Sequence, residues 1–301
     1  MSKVSLPSTL QCLTFGDDFN KVLWPVALPS GLQELTFGSS YNRSLHGVSL
    51  SDCLDRLRFG DCFDRDIAKV TFPAGLRCLH FGVNYNQSLE KVVLPRGLEV
   101  LRFGDLFNQS MEMIPLPSGL QKLTLGHRFN KRMEKVVLPS GLQRMVWGSS
   151  VMERIALPNG LLELTFADSF DNTMDEVVLP GTLTTLQFGH RFNRCMDRVA
   201  LPSGILVLKF GNRFNQRLDK VALPNKLQHL YIGDAFNQPI ENVRFPDGLT
   251  ILLIGNQFNQ SMEMVALPRT LVVLRIGENF NQYMDKFYFP RARQMSFGRR
   301  F

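Results

Sequence analysis

One spacing constrains this chain more than any other property: a Leu-Pro pair, or a close variant of it, recurs every 22 residues. Only one interval differs, and it is 19 residues, between Leu138 and Leu157. A constant period of this length indicates a solenoid, in which each repeat packs mainly against its two neighbours. We therefore predict a single solenoid over residues 1–301, with about 13–14 repeats and one shortened repeat at 138–156. The pairs begin at Leu6, Leu28, Leu50, Phe72, Leu94, Leu116, Leu138, Leu157, Leu179, Leu201, Leu223, Phe245, Leu267 and Phe289.

The repeat has an internal pattern that predicts its secondary structure. We number each repeat from the first residue of the pair, so that Leu is position 1 and Pro is position 2. Positions 8 and 10 are apolar and alternate with variable positions 7 and 9, which is typical of a short β-strand. Proline disfavours a helix across the corner, and we expect Gly at position 11 to end the strand in a turn with a positive φ. Stacked repeats then give a solenoid of the leucine-rich-repeat kind, with 22-residue coils, one short parallel strand per coil, and few or no helices.

The same residues carry a resemblance to a known family. Residues 236–260 read FNQPIENVRFPDGLTILLIGNQFNQ, while 85–104 and 258–277 read YNQSLEKVVLPRGLEVLRFG and FNQSMEMVALPRTLVVLRIG. This pattern resembles the FNIP repeat, a variant of the leucine-rich repeat found in social amoebae and large DNA viruses, and it extends over essentially the whole chain. Repeats of this family are often joined to an F-box or a kinase domain. The sequence shows neither companion, so we expect no ubiquitin-ligase or kinase role for this chain alone.

Two further positions predict the interior of the coils. Position 14 is Phe or Tyr in nearly every repeat, as at Phe107 and Phe214. An aromatic stripe of such uniformity favours a stacked core over a ligand site. Position 15 is Asn or Asp, as at Asn108 and Asn215, and the side-chain oxygen of either residue can accept a backbone N–H. We therefore predict an asparagine ladder that satisfies backbone groups of neighbouring coils.

Charge and cysteine content narrow the choice of partner and compartment. The chain has 34 basic and 27 acidic residues, a net charge of +7, which is weaker than the basic stripe of a typical nucleic-acid-binding protein. No apolar run is long enough to cross a bilayer, and the N-terminus lacks the apolar region of a signal peptide. The odd number of cysteines, five, argues against a disulfide framework. We expect a cytoplasmic protein that makes no contact with membranes.

No arrangement of residues in the sequence indicates catalysis. The five histidines and five cysteines form no Cys-x-x-Cys, His-Glu-x-x-His, P-loop or Gly-x-Ser-x-Gly motif. His127 and His190 occupy the same position three coils apart, a separation of about 14 Å that is too long for one metal ion. We predict that the protein is not an enzyme and uses no cofactor or metal.

Variable positions 7 and 9 are the predicted binding surface, because they point outward on the sheet face that is normally concave in a solenoid. They are mostly basic in the N-terminal half and mostly apolar near the C-terminal end. An exposed apolar group is typical of a protein interface, but β-branched residues also suit strands for purely structural reasons. For the basic group, a binding role and an ordinary surface role are equally compatible with the sequence. The candidates are Arg56, Arg58, His80, Arg102, Lys122 and Arg144, followed by Tyr231, Ile251, Leu253, Val273 and Arg275.

Three functions are compatible with this surface. The leading hypothesis is a protein-protein interaction scaffold whose arginines attract a protein partner with acidic groups. The second is a structural protein that self-associates end to end. With Gly298 aligned to position 11, Met1 falls at position 18 and Phe301 at position 14, so that neither end of the chain has a polar capping coil. The third is nucleic-acid or polyanion binding by the basic N-terminal half, which we favour less because exposed aromatic side chains are not interleaved with the basic ones.

The shortened repeat raises a separate question, because it lacks the three residues of positions 14 to 16. One Phe and one ladder Asn are therefore missing, and an unfilled hole of that size would cost on the order of 3–5 kcal/mol. The same repeat carries Trp147 in place of Phe at position 10, and the next repeat carries Ala167 in place of Gly at position 11. We predict that Trp147 is compensating core rather than part of a ligand notch.

Overall fold

The structure is a computed structural model, and it describes residues 6–24, 26–148, 155–283 and 292–298. The chain divides into two compact units, residues 1–149 and 150–301. Each unit is a stack of coils with one short strand per coil, and we give each coil the number of its strand. The single solenoid over 1–301 and the shortened repeat at 138–156 stay predictions, and residues 149–154 of that repeat lie outside the described residues.

Each unit contains seven strands among its described residues, all of three or four residues. The strands of the first unit are β1 (Cys12–Thr14), β2 (Glu34–Thr36), β3 (Arg56–Arg58), β4 (Cys78–His80), β5 (Val100–Arg102), β6 (Lys122–Thr124) and β7 (Arg144–Trp147). The strands of the second unit are β8 (Glu163–Phe166), β9 (Thr185–Gln187), β10 (Val207–Lys209), β11 (His229–Ile232), β12 (Ile251–Ile254), β13 (Val273–Ile276) and β14 (Gln294–Ser296).

Within each unit, every strand pairs in parallel with the next strand along the chain. Leu57 of β3 is the register partner of Leu79 of β4, one 22-residue repeat later, and the same register holds from β8 to β13. The last pair differs, because Val273 of β13 is the partner of Gln294 of β14, 21 residues later. The described residues contain no helix. The prediction of one short parallel strand per coil without helices is confirmed.

In the core of each unit, side chains at equivalent repeat positions stack on one another from coil to coil. Phe107 and Phe214, at position 14, are completely buried. Within coil 5 the rings of Phe103 and Phe107 stack with their centroids 3.9 Å apart. Between coils, Phe103 stacks on Phe81 at 5.5 Å and Phe107 on Tyr85 at 6.3 Å. Two parallel columns of rings therefore run through neighbouring coils and hold them in register.

A ladder of side-chain amides runs beside the ring columns. Asn108 accepts a hydrogen bond at its Oδ1 from the backbone N–H of Asn130, at 2.9 Å, and donates its own N–H to Asn86 Oδ1, at 2.8 Å. In the second unit the Oδ1 of Asn215 accepts the N–H of Asn237 at 2.8 Å. Asp at this position preserves the bond, because a carboxylate offers the same acceptor. Most of the ladder side chains are half-buried.

Gly at position 11 has a different role from the predicted one. The expectation of a positive φ was wrong, since Gly47, at another position, is the one described glycine with a positive φ, 79°. A Cβ added to Gly60 would overlap the carbonyl group of Gly38 in the preceding coil, and a Cβ on Gly82 would overlap that of Gly60. The position is glycine because the backbones of successive turns approach too closely for a side chain.

We expect Gly60→Ala to lower the free energy of unfolding by about 1–3 kcal/mol or more, because two packed backbones must move apart to admit the methyl group. Gly16→Ala is the matched control, since Gly16 has the same position in coil 1 but no described atom within 4 Å of an added Cβ. Urea unfolding measures both variants. Equal midpoints for the two variants would contradict this account of the glycine ladder.

Trp147 ends strand β7 and is completely buried, with 0 % of its surface exposed. Its Nε1 has no hydrogen-bond partner among the described residues, so the side chain contributes apolar surface to the core. Because the following residues lie outside the described residues, the compensating role of Trp147 for the missing Phe stays a prediction. Ala167, in the next repeat, is buried as well.

Trp147→Phe should lower the free energy of unfolding by on the order of 1–2 kcal/mol, because it leaves part of a buried volume empty. The chain offers a control, since its other tryptophan, Trp24, is 63 % exposed. Trp24→Phe should leave the thermal unfolding curve almost unchanged. If the Trp147→Phe variant melts at the temperature of the unmodified protein, Trp147 is not a core residue on which the coil depends.

Candidate functional site

The sheet face of each unit is formed by positions 7 and 9 of its coils. In β3, for example, Arg56 and Arg58 are exposed on either side of the buried Leu57. The same alternation in the other strands follows from the two-residue period of a β-strand. The predicted basic residues of the first unit therefore share one face, with His80 half-buried and the others exposed: Arg56, Arg58, His80, Arg102, Lys122 and Arg144.

Arg56 belongs to a chain of ion pairs near the start of the strands. Its Nη1 lies 2.6 Å from Glu34 Oε1, and its Nε lies 3.4 Å from Asp55 Oδ2. Asp55 also accepts a hydrogen bond from Arg77, whose Nη1 lies 3.9 Å from Glu99 Oε1. The charge of Arg56 is thus already compensated within the protein, and exposed pairs of this kind contribute little to stability.

Arg58 and Arg102 differ from Arg56, because they flank a histidine and not a carboxylate. Arg58, His80 and Arg102 are register partners on three adjacent strands. Within the described part of the chain, neither guanidinium forms an ion pair or a side-chain hydrogen bond. Burial, followed by the positive charges of the two arginines, lowers the pKa of His80 to about 4. The position 9 row of coils 3 to 5 therefore carries two uncompensated positive charges, about 10 Å apart, around a neutral imidazole.

A groove of about 570 Å³ runs across coils 3 to 7 at the end of these strands. One wall consists of position 9 side chains, and the opposite wall consists of position 12 side chains. The floor is the main chain of the position 11 glycines, which leave it open because they carry no side chain. We call this feature the turn-side groove; its walls are Arg58, His80, Arg102, Thr124 and Val146 on one side and Asp61, Val83, Asp105 and His127 on the other.

In the second unit, the predicted residues form a more apolar surface. Lys209 places its Nζ 4.8 Å from the centre of the Tyr231 ring, a cation–π contact. In the position 9 row, Tyr231 and Leu253 lie between Lys209 and Arg275. The predicted residues there are half-buried except for the exposed last one: Tyr231, Ile251, Leu253, Val273 and Arg275.

The described residues show no metal cluster, no disulfide and no membrane-spanning helix. They contain no group of three or more His, Cys, Asp or Glu side chains that could hold a metal ion. All five cysteines are free thiols. No helix in the described part of the chain is long and apolar enough to span a membrane. The chemistry that the turn-side groove offers is non-covalent binding by charged side chains.

The second wall of the groove was not predicted from the sequence. Asp61 and Asp105 occupy position 12, directly after the glycine, and both are exposed. Because the residue type at position 12 varies from coil to coil, as it does in any surface turn, there was no reason to select these two from the sequence. A signal was nevertheless present, because the two acidic residues stand in the same repeats as the two unpaired arginines.

A second ladder was also missed, although its signal is the recurrence of Gln or Arg at position 16. Gln109 donates its Nε2–H to the carbonyl oxygen of Asn86, at 2.9 Å. Arg194 donates its Nε–H to the carbonyl oxygen of Asp171, at 2.8 Å. Coils with this pair of residues are thus bound to the preceding coil through two adjacent side chains, one an acceptor and one a donor.

Comparisons with known proteins agree with this architecture. The model of the FNIP Repeat matches residues 2–40, 63–106, 107–145, 192–235 and 236–279, which is more than half of the chain. The comparison with curated proteins found no match.

Solved structures give a second comparison. The chain is similar to CroV588, a giant-virus protein described as a novel circular LRR protein, with 31% sequence identity and a TM-score of 0.72. The match covers 97% of this chain and 54% of the viral protein, so this chain spans about half the length of that relative. An internalin of Listeria monocytogenes, InlF, matches at 14% identity and a TM-score of 0.49, over 89% of this chain and 73% of the internalin. The likeness to CroV588 confirms the leucine-rich-repeat-like fold, and the repeat matches show that the chain belongs to the FNIP-repeat family.

Proposed function

We propose that this chain is a non-catalytic, cytoplasmic protein-interaction scaffold that binds a partner through the turn-side groove of its first unit. Repeat scaffolds of the leucine-rich-repeat kind commonly serve protein interaction. The observation that carries the proposal is the pair Arg58 and Arg102, which are exposed on the sheet face without a compensating ion pair. The free cysteines support a reducing compartment.

The neighbouring ion pairs add no positive charge to that of these two arginines. The nearby ion-pair chain has two guanidinium groups, Arg56 and Arg77, and three carboxylates, Glu34, Asp55 and Glu99, so it adds no positive charge of its own. A guanidinium with free N–H groups can bind a carboxylate through two parallel hydrogen bonds. The partner best suited to this wall therefore presents acidic side chains.

The other candidate functions have less support. A nucleic acid would place its continuous negative charge against Asp61 and Asp105 on the opposite wall, where like charges repel. End-to-end self-association was inferred from Met1 and Phe301, which lie outside the described residues, and it stays a prediction. The apolar surface around Ile251 and Leu253 remains a second candidate contact area for the same or another protein.

Reversing the two groove charges, Arg58→Glu with Arg102→Glu, should weaken binding of the partner about tenfold or more, because attraction becomes repulsion. The measurement is affinity capture from nuclease-treated cell extract with mass spectrometry, followed by titration of the captured protein. The matched control, Lys91→Glu with Lys135→Glu, makes the same change of charge at two exposed lysines of position 20. If the two double variants capture the same proteins in the same amounts as the unmodified chain, the groove does not bind the partner.

His80 should contribute nothing to a change of affinity between about pH 8 and about pH 5.5, because its low pKa, about 4, keeps its imidazole neutral over that range while arginine and most carboxylates keep their charges. A groove that depended on a protonated histidine of ordinary pKa would gain affinity as the pH falls through about 6.5. Titration of the captured partner at several pH values distinguishes these cases. A strong gain in affinity that His80→Gln removes would contradict the assignment of the binding charge to the arginines.

A further inference from the structure

The two walls of the turn-side groove carry opposite charges that do not neutralise one another. Arg58 and Arg102 stand on the position 9 wall, and Asp61 and Asp105 stand on the position 12 wall. Among the described residues, no ion pair within 4.0 Å joins the two walls. On the position 12 wall, Asp105 Oδ1 lies 3.7 Å from Nε2 of His127, a pair that is ionic only when the imidazole is protonated. The open floor keeps the arginines and the aspartates apart, so both kinds of charge remain available to a ligand.

The charges also occur in a regular order along the groove. Coil 3 contributes Arg58 and Asp61, and coil 5 contributes Arg102 and Asp105, each with one positive and one negative side chain. Coil 4, between them, contributes His80 and Val83, and the lowered pKa of His80 leaves that coil neutral at pH 7. On each wall, like charges are therefore two coils apart, about 10 Å.

The floor limits the shape of the occupant. Gly82, Gly104 and Gly126 line it, and the close approach of their backbones to the preceding coils excludes a side chain there. The groove extends over five coils, or about 19 Å, which is the length of about six residues of extended polypeptide. A chain in this conformation fits a narrow groove because its side chains alternate between the two walls.

We propose that Asp61 and Asp105 make the turn-side groove selective for an extended polypeptide segment whose alternate side chains are acidic and basic. This inference rests on the proposed function, and it names the ligand of the same groove. Acidic side chains of the segment contact Arg58 and Arg102, and basic side chains contact Asp61 and Asp105. Side chains on one edge of an extended chain recur about every 6.7 Å, whereas like charges on one wall are about 10 Å apart. The long, flexible arginine side chains can span the difference of about 3 Å.

The experiment compares three probes by isothermal titration at about pH 8, where imidazoles are neutral: an eight-residue alternating Glu-Lys peptide, an eight-residue Glu peptide, and a single-stranded DNA octamer. The unmodified chain should bind the alternating peptide about three- to tenfold more tightly than either polyanion, as expected for two exposed charge pairs. Asp61→Asn with Asp105→Asn should abolish this preference and increase the affinity for the Glu peptide. Asn keeps the weak acceptor contact of Asp61 Oδ1 with the Val83 N–H, 3.4 Å, so the fold is preserved.

Glu90→Gln with Glu134→Gln is the matched control, because it removes two negative charges from side chains outside the groove walls. It should leave the preference unchanged. An unchanged preference in the Asp61→Asn, Asp105→Asn variant, or tighter binding of either polyanion by the unmodified chain, would overturn the selectivity proposal. The proposed function would survive that result as long as Arg58→Glu with Arg102→Glu still weakens peptide binding. If the unmodified chain binds no peptide at millimolar concentration, both proposals fail.

Discussion

The close approach of one turn to the next is the constraint on which the other interactions depend. At position 11 the backbone of each coil lies so near the carbonyl group of the preceding coil that a Cβ has no room, as at Gly60 and Gly82. The same small spacing brings the rings of Phe81 and Phe103 to 5.5 Å. It also allows a side chain as short as Asn108 to reach the N–H of the next coil. A wider turn would separate the rings and the amide ladder together.

The small spacing between coils restricts which residue types fit at the inward and turn positions. Only a few positions can therefore differ between coils. Position 9 is one of them, and the sequence Arg58, His80, Arg102 shows the result: three neighbouring coils with the same backbone present different charges. The regular backbone of the repeats therefore forms the groove, while the residues that differ from coil to coil determine its charge. The variable row, and not the residues that define the repeat, is where neighbouring coils differ in their surface chemistry.

The sequence alone predicted the structural features that recur from repeat to repeat, but not the contacts that depend on one particular neighbouring side chain. The strand at positions 7 to 9 and the orientation of the ladder Asn follow from period and residue type alone. The pairing of Arg56 with Glu34 could not be predicted in the same way, because it depends on side-chain geometry across two coils. The position of Asp61 opposite Arg58 likewise depends on how the turn is bent after the glycine. The reason for the glycine was misjudged, because single-residue conformational preference says nothing about an approaching second backbone.

The paired ladders at positions 15 and 16 also bear on how such a chain changes its length. A coil that has both positions offers an acceptor to the coil that follows and a donor to the coil that precedes, whether the residues are Asn with Gln or Asp with Arg. The shortened repeat lacks both positions. Two coils that carry both residues are thus compatible at their junction, so a duplication or deletion of one such repeat leaves no unmatched ladder group behind. The array can grow or shrink by units of about 4.8 Å, and a coil added among coils 3 to 7 supplies one more residue to each wall of the groove.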